Sequence, residues 1–188
     1  ETLCGLNSAA IDEIRLMPRV LVDVSDRSLS SSILGLETGL PFGIAPMGMC
    51  GLAWPGADRA LAIEAARRRM PLCVSTASSM TLEQINEIAE GHAWFQLYAD
   101  QSGDFVNELI DRAAAAAYEV LILTVDVPIP SVRLRDLRNG FTFPMRWGLQ
   151  QLWDFATHPQ WSMATLAHAF RNGMPRPMNY ATSSNNTT

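Results

Sequence analysis

Four apolar runs that alternate with helical segments restrict the fold of this chain more than any other feature. The runs predict buried strands at Leu40 to Ala45, Pro71 to Ser75, Trp94 to Tyr98 and Val120 to Asp126. The segments between them predict helices at Asp58 to Arg69, from Leu82 onward and at Asp104 to Ala117. Because strands joined by crossover helices run parallel in one sheet, this order predicts an α/β fold.

The helix after the second strand has the clearest start signal. Thr81 and Gln84 form a capping box, in which each side chain can bond to the backbone N–H of the other residue. Met80 and Ile85 flank this pair and can form a hydrophobic staple. The sequence therefore predicts a helix that begins at Leu82.

A parallel sheet of this kind is either doubly wound or closed into a barrel. The segment Gly48 to Gly51 fits neither GxGxxG nor GxxxxGK, so the sequence favours the barrel. A complete TIM (β/α)8 barrel takes about 250 residues, and four strand-helix units in 188 residues predict about half of one. We expect a single domain: a lead-in at 1–39, units one to four at 40–135, and a long loop with a polar tail at 136–188.

Composition excludes several classes of function. The net charge of -5 is opposite to the basic footprint of nucleic-acid-binding domains. No window approaches the roughly 18 consecutive apolar residues of a membrane span, and no secretory signal opens the sequence, so we expect a cytoplasmic protein. Cys4, Cys50 and Cys73 form no CxxC pair, which favours buried reduced thiols over a disulfide or a metal site.

Polar side chains stand at the ends of two successive predicted strands. Period-two alternation places Gln96 and Tyr98 on the face opposite Phe95 and Leu97. The run Leu121 to Asp126 ends in a hydroxyl and a carboxylate, and Arg133 follows seven residues later. Because the carboxyl ends of barrel strands form the functional face of this fold, these residues predict a site.

Several motifs together resemble the FMN-dependent 2-hydroxy acid dehydrogenases and oxidases, a family that includes lactate and mandelate dehydrogenases and glycolate oxidase. The resemblance rests on Pro41 to Gly48, Val74 to Ser78, Trp94 to Tyr98, Leu123 to Asp126, Arg133, Asp136 and Asn139 to Phe141. It extends from about Arg19 to about Trp161, with the motifs in the family's order. Each motif alone is weak evidence for the family, whereas the combination of motifs is specific to it.

The resemblance implies an FMN site on this half of the barrel. The residues that it implies along the reactive edge of the flavin, mainly through backbone atoms, are Pro46, Met47 and Gly48. Those that it implies for hydrogen bonds to the ring are Ser75, Gln96 and Thr124. Taken singly, the first group could be a strand-to-loop turn and the second could cap strand ends.

The resemblance also implies a substrate site. Tyr98 and Arg133 match the family's substrate-binding tyrosine and arginine, and a guanidinium can hold a carboxylate by two parallel hydrogen bonds. Asp126 matches the catalytic carboxylate that pairs with the family's histidine base. The alternatives are a barrel-rim aromatic for Tyr98, a surface loop arginine for Arg133 and a helix or loop cap for Asp126.

The family's catalytic histidine, in an SNHGG-like segment, is absent, as are the lysine and second arginine of later strands. We therefore expect part of a larger, homo-oligomeric enzyme that oxidises an (S)-2-hydroxy acid to the 2-oxo acid with hydride transfer to flavin, the 188 residues alone being inactive. The main alternative is a non-catalytic half-barrel that binds or assembles with another chain. Another phosphate-binding barrel, such as a nucleotide dehydrogenase, is a third hypothesis, but the signature loops of that class are not visible in the sequence.

The segment from 142 to 161 is rich in aromatic residues, namely Trp147, Trp153, Phe155 and Trp161. The matching loop serves some family members as a membrane-association segment. Only Arg146 adds positive charge, so contact with the inner face of a membrane would be weak, and we favour a lid or a subunit contact.

Overall fold

The computed structural model describes residues 2–99, 103–125, 134–140 and 148–180. The elements in these ranges are α1 (Thr2–Asp12), β1 (Ser31–Ile33), β2 (Leu36–Thr38), α2 (Cys50–Ala53), α3 (Ala57–Arg68), β3 (Leu72–Ser75), α4 (Leu82–Ile88), β4 (Ala93–Tyr98), α5 (Gly103–Ala115), β5 (Leu121–Thr124), α6 (Leu134–Arg138), α7 (Leu149–Thr157) and α8 (Pro159–Asn172).

The central sheet has the parallel order β3-β4-β5, and this confirms three of the four predicted strands. The strand predicted at Leu40 to Ala45 is wrong: only Ile44 pairs with β3, by an isolated parallel bridge to Leu72. Its N–H donates to Pro71 O at 2.8 Å, and its carbonyl accepts from Cys73 N at 2.9 Å. The physical reason is that the prolines at both ends of this segment, Pro41 and Pro46, have no N–H to extend a ladder.

A short hairpin of β1 and β2 lies in the lead-in and was not predicted. Its two-residue turn has positive φ at Leu34 (53°) and Gly35 (81°), which is the geometry of the turns that suit hairpins. The usual sequence signal for such a turn is Asn-Gly or Asp-Gly, and leucine at the first position hides it. Thr38 Oγ1 donates to Leu40 O at 2.8 Å and ends the hairpin.

The three predicted helices are confirmed with small shifts at their ends. The chain enters α4 at Leu82 as expected, and Thr81 Oγ1 accepts a hydrogen bond from Gln84 N at 3.4 Å. Two apolar clusters pack these helices on the sheet. One is formed by Ala62, Ala65, Leu72, Val74, Ile85, Ala89 and Ala93. The other is formed by Leu82, Phe95, Leu97, Leu109 and Ala113.

The alternation along β4 separates two faces of the sheet. Phe95 and Leu97 belong to the cluster beneath α5, so Gln96 and Tyr98 lie on the opposite face, as the sequence predicted. One face of the sheet therefore packs against the helices. The other face carries the polar side chains of Gln96, Tyr98 and Thr124 together with Trp94 and Ile122.

The long loop expected from 136 onward is wrong for the described residues, because most of them are helical in α6, α7 and α8. Pro159 opens α8 at a position where its missing N–H costs nothing. The expected polar tail, Ser183 to Thr188, lies outside the described ranges. None of the helices in the described ranges combines the length and the apolar character that crossing a bilayer requires.

Candidate active site

The register of the sheet brings polar side chains to one edge. Ser75 pairs with Gln96 across β3 and β4, and Tyr98 pairs with Thr124 across β4 and β5. Because register partners in parallel strands point to the same face, all four side chains lie together on the face opposite the helices. Ser75 and Gln96 are buried, while Tyr98 is 40% exposed. The structure thus gathers a buried polar floor and an exposed aromatic rim.

Gln96 and Thr124 contact each other directly. The Gln96 side-chain amide donates from Nε2 to Thr124 Oγ1 at 2.7 Å. An amide and a hydroxyl in this arrangement offer both donors and acceptors to a bound polar ring.

The loop after Ile44 packs against the end of β3. Met49 N donates to Ala77 O at 2.7 Å. A Cβ atom at Gly48 would lie 3.3 Å from Ala77 Cβ and 3.8 Å from Ser75 Oγ, so glycine permits this close approach. Pro46, Met47 and Gly48 are exposed beside the buried Ser75. These three residues therefore form a second side of the site.

Thr76 was not predicted as a site residue, but it contacts Gln96 and Tyr98 directly. Its side chain is fully buried. Its backbone N–H and its hydroxyl both donate to Gln96 O, at 3.0 and 2.7 Å, and the hydroxyl accepts from Tyr98 N at 3.1 Å. Thr76 lies within the motif Val74 to Ser78, but that motif pointed to a role only for Ser75.

Asn179 was not predicted either, because it stands in a segment with prolines and methionines that has no periodicity. It is fully buried, and its Oδ1 accepts from Leu82 N at 3.0 Å. Its Nδ2 donates to Ser78 Oγ at 3.0 Å and to Thr76 O at 3.3 Å. A residue far along the chain therefore closes the loop that follows β3.

A buried carboxylate supports the loop from the side of α3. Asp58 Oδ2 accepts from Ser79 N at 3.1 Å, and Ser79 Oγ accepts from Gly51 N at 3.0 Å. Burial raises the pKa of Asp58. Burial and the nearby Asp58 raise the pKa of the Cys50 thiol, which disfavours the nucleophilic thiolate. All three cysteines are free thiols; the expectation that they are buried is met only in part, since Cys50 and Cys73 are partly buried and Cys4 is exposed.

Two of the predicted residues, Asp126 and Arg133, lie outside the described ranges. A cavity of about 530 Å³ is lined by residues of α2, α6, α7 and α8, among them Leu52, Phe155 and Trp161. Among the residues with described positions, no group of three His, Cys, Asp or Glu side chains could hold a metal ion.

Comparison with known sequences matches this chain to one family. The model of the FMN-dependent dehydrogenase family matches residues 1–187. The (S)-mandelate dehydrogenase of Pseudomonas putida is 36% identical over 177 residues, which are 94% of this chain and 44% of that protein. A putative L-lactate dehydrogenase of Mycobacterium tuberculosis is 37% identical over 150 residues, which are 79% of this chain and 36% of that protein. The chain thus spans less than half the length of these relatives.

Comparison with solved structures gives the same family. The crystal structure of the monotopic membrane protein (S)-mandelate dehydrogenase superposes with a TM-score of 0.79 at 35% identity, over 91% of this chain and 48% of that one. A mandelate oxidase variant with (S)-mandelic acid superposes with a TM-score of 0.67 at 33% identity, over 77% of this chain and 42% of that one. The parallel sheet is accordingly part of a TIM barrel, as the strand-helix order predicted.

Proposed function

Because this chain belongs to the FMN-dependent dehydrogenase family, we propose that it forms the first part of an enzyme that oxidises a 2-hydroxy acid to the 2-oxo acid with FMN. The observation that carries the proposal is the group formed by Ser75, Gln96 and Thr124, which lie on one face near the carboxyl ends of three adjacent parallel strands. A packing role alone would not require hydrogen-bonding groups at the end of every strand.

The residues present fit the flavin ring. Gly48 lets the loop backbone lie close to Ala77 and Ser75, which brings the backbone of this loop beside the end of β3. Ser75, Gln96 and Thr124 offer the mixed donors and acceptors that the polar edge of the ring needs. When bound, FMN supplies the hydride acceptor for the oxidation. We propose that these residues, with Pro46 and Met47, hold it.

Tyr98 and Arg133 are the proposed substrate residues, and Asp126 is the proposed partner of a histidine base from outside this chain. Tyr98 is on the same face of β4 as Gln96 and is partly exposed, so its phenol can reach a bound carboxylate. Mandelate oxidase has been solved with a substituted tyrosine and with a substituted arginine. These two residues are separated by the same number of positions as Tyr98 and Arg133, which supports the assignment.

Two substitutions in the full-length protein test the division between substrate and cofactor residues. Arg133→Lys keeps the charge but loses the planar pair of donors, so we expect KM for L-lactate or (S)-mandelate to rise far more than the Kd for FMN. Gln96→Leu should instead weaken FMN binding by about tenfold or more, because a buried ring edge loses its partner. Flavin release by the lysine variant, with normal flavin retention by the leucine variant, would refute this division.

The isolated 188 residues provide a further test, because the proposed base lies elsewhere. A general base contributes about 10²- to 10⁴-fold to a rate. We expect at most traces of FMN reduction when L-lactate or (S)-mandelate is added to this chain. Rapid reduction would show that the chain supplies its own base.

We also propose that α7 and α8 contact the surface of a membrane at its inner face. Leu149, Leu152 and Trp153 follow helical spacing on α7, and Met163, Leu166 and Phe170 do so on α8, all of them exposed. Rows of exposed apolar side chains are typical of surfaces that contact a membrane or another protein. A monotopic membrane protein among the structural relatives supports a lipid surface over a lid.

Vesicle binding distinguishes this surface from a subunit contact. Replacement of Trp153 and Phe170 by Gln should reduce sedimentation with phosphatidylcholine and phosphatidylglycerol vesicles by about tenfold or more, because two large apolar side chains lose their burial in lipid. Ile63→Gln on α3 is the matched control, since Ile63 is also exposed but belongs to another surface. Unchanged vesicle binding combined with a smaller oligomer would assign the surface to a subunit contact.

A further inference from the structure

We infer that Thr76 is a positioning residue, which holds Gln96 and Tyr98 in the orientation that ligand binding requires. Asn179 in turn holds Thr76 in place through hydrogen bonds. The functional part of this inference rests on the proposed function, since Gln96 and Tyr98 are the proposed flavin and substrate residues. Thr76 itself has no exposed surface, so it acts through its two neighbours.

The Thr76 hydroxyl supplies a hydrogen-bond acceptor to Tyr98 N at a point where β3 has already ended. The ladder between β3 and β4 ends at the pair Ser75 and Gln96, while β4 continues to Tyr98. The N–H of Tyr98 therefore lies beyond the last paired residue of β3. The Thr76 hydroxyl accepts this N–H at 3.1 Å and donates to Gln96 O at 2.7 Å. One side chain thus satisfies the backbone next to both proposed functional residues.

The position of Thr76 is fixed in turn by Asn179. The Asn179 amide donates to Thr76 O and to Ser78 Oγ, and its carbonyl accepts from the first N–H of α4 at Leu82. Both ends of the loop after β3 are therefore attached to one buried side chain. Met178 N adds a bond to Ser78 O at 3.0 Å. The segment after α8 consequently contributes to the geometry of the strand ends.

Thr76 differs from an ordinary core residue because its proposed role depends on directed hydrogen bonds and not only on the volume of its side chain. An apolar residue of the same shape could fill the space of Thr76 but could not bond to Tyr98 N. The Gln96 carbonyl would still accept from the Thr76 backbone N–H. Loss of the hydroxyl should therefore loosen Tyr98 more than Gln96, and substrate binding more than flavin binding.

The test uses Thr76→Val, which has the same shape, and Thr76→Ser, which restores the hydroxyl, in the full-length protein. Amide hydrogen exchange at Tyr98 is measured first, without FMN or substrate. We expect exchange at Tyr98 to accelerate by about tenfold or more in the valine variant, because its N–H loses a buried acceptor. The serine variant should remain within about twofold of wild type. Equal exchange at Tyr98 in wild type and the valine variant would overturn the inference.

Steady-state kinetics then separate this inference from the proposed function. In the valine variant we expect KM for the 2-hydroxy acid to rise by about tenfold while the Kd for FMN changes by less than about threefold. A normal KM together with a folded, FMN-loaded variant would refute the positioning role. Wild-type protein that neither binds FMN nor oxidises 2-hydroxy acids would refute the proposed function and leave the exchange result as the test of the Thr76 contacts.

Asn179→Ala provides the second variant. It should accelerate exchange at Tyr98 and at Leu82, whereas Asn172→Ala, an exposed asparagine on α8, should change neither. If the Asn179 variant accelerated only Leu82, Asn179 would serve α4 alone and would have no part in holding Thr76.

Discussion

The sheet with α3, α4 and α5 is held together differently from the segment that contains α7 and α8. Both apolar clusters lie within the first region, where Phe95, Leu82 and Leu109 are fully buried. In the second region the buried residues of α8 are the polar Ser162 and Thr165, and large apolar side chains such as Phe170 face outward. Apolar burial therefore stabilises the first region, and the second depends on other contacts.

Among the described residues, the contacts that attach the second region to the rest of the protein include directional hydrogen bonds. Trp161 Nε1 donates to Leu52 O at 3.2 Å and to Ala53 O at 3.0 Å, which attaches α8 to the end of α2. Asn179 attaches the following segment to the loop after β3, and Tyr180 stacks on Phe105 with ring centroids 5.2 Å apart. The outward faces of α7 and α8 make none of these attachments, so substitutions on those faces can change the surface without removing a contact to the sheet.

The largest difference between the two regions should come from Phe95→Ala. Phe95 is fully buried and packs edge-to-face with Tyr118 at 5.8 Å, so the cavity should lower the free energy of unfolding by about 3 to 5 kcal/mol. Trp153→Ala, at an exposed position on α7, should change it by less than about 0.5 kcal/mol. Urea denaturation measures both. Comparable losses would show that the two regions share one apolar core.

Asn179→Ala should have the next largest effect. The substitution leaves Leu82 N and the Thr76 carbonyl without their buried partner, which costs about 2 to 3 kcal/mol in the free energy of unfolding. Asn172→Ala is the control, because Asn172 is exposed and bonds only to His168 among the contacts described for it. If both variants unfolded at the same urea concentration, the buried amide would not be a stabilising contact.

Trp161→Phe tests the attachment of α8 more narrowly. Phenylalanine can keep the edge-to-face packing on Phe155 but loses the N–H that meets the two carbonyls of α2. We expect a loss of about 1 kcal/mol, and faster proteolysis within α7 and α8 than within the sheet. Uniform acceleration of cleavage across the chain would contradict the separation of the two regions.

The smallest effect should come from the ion pair between Glu83 and Arg112. Burial opposes ionisation of Glu83, but two hydrogen bonds from Arg112, at 2.7 and 3.0 Å, lower the pKa of Glu83 overall. A carboxyl group with a lowered pKa stabilises the fold above its ordinary pKa and loses that contribution as the pH falls through the folded-state pKa.

Glu83 is 44% exposed, so solvent screening limits the contribution to less than about 1 kcal/mol. Glu83→Gln should therefore lower the urea midpoint slightly at pH 7, and the effect should shrink as the pH falls below the ordinary pKa of a glutamate. A larger difference in urea midpoint between variant and wild type at pH 3 than at pH 7 would contradict the expected direction of the pH dependence.

The parts of the fold that the sequence predicted share a local cause. The capping box fixed the start of α4 at Leu82, and period-two alternation separated Gln96 from Phe95 on β4. The β1-β2 hairpin and the helices α7 and α8 were not predicted. In the hairpin, Leu34 adopts a positive φ that its residue type does not favour, so no local signal marked the turn.

The sequence by itself determined which residues form parallel strands and which polar groups stand at their carboxyl ends, because hydrophobic periodicity and caps act over a few residues. Only the tertiary structure decided that Thr76 would take the place of a strand residue beside Tyr98, and that Asn179 would close the same loop from a distant part of the chain. The physical reason is that a buried polar group must find its partner in space, and no pattern along the chain records which partner that will be.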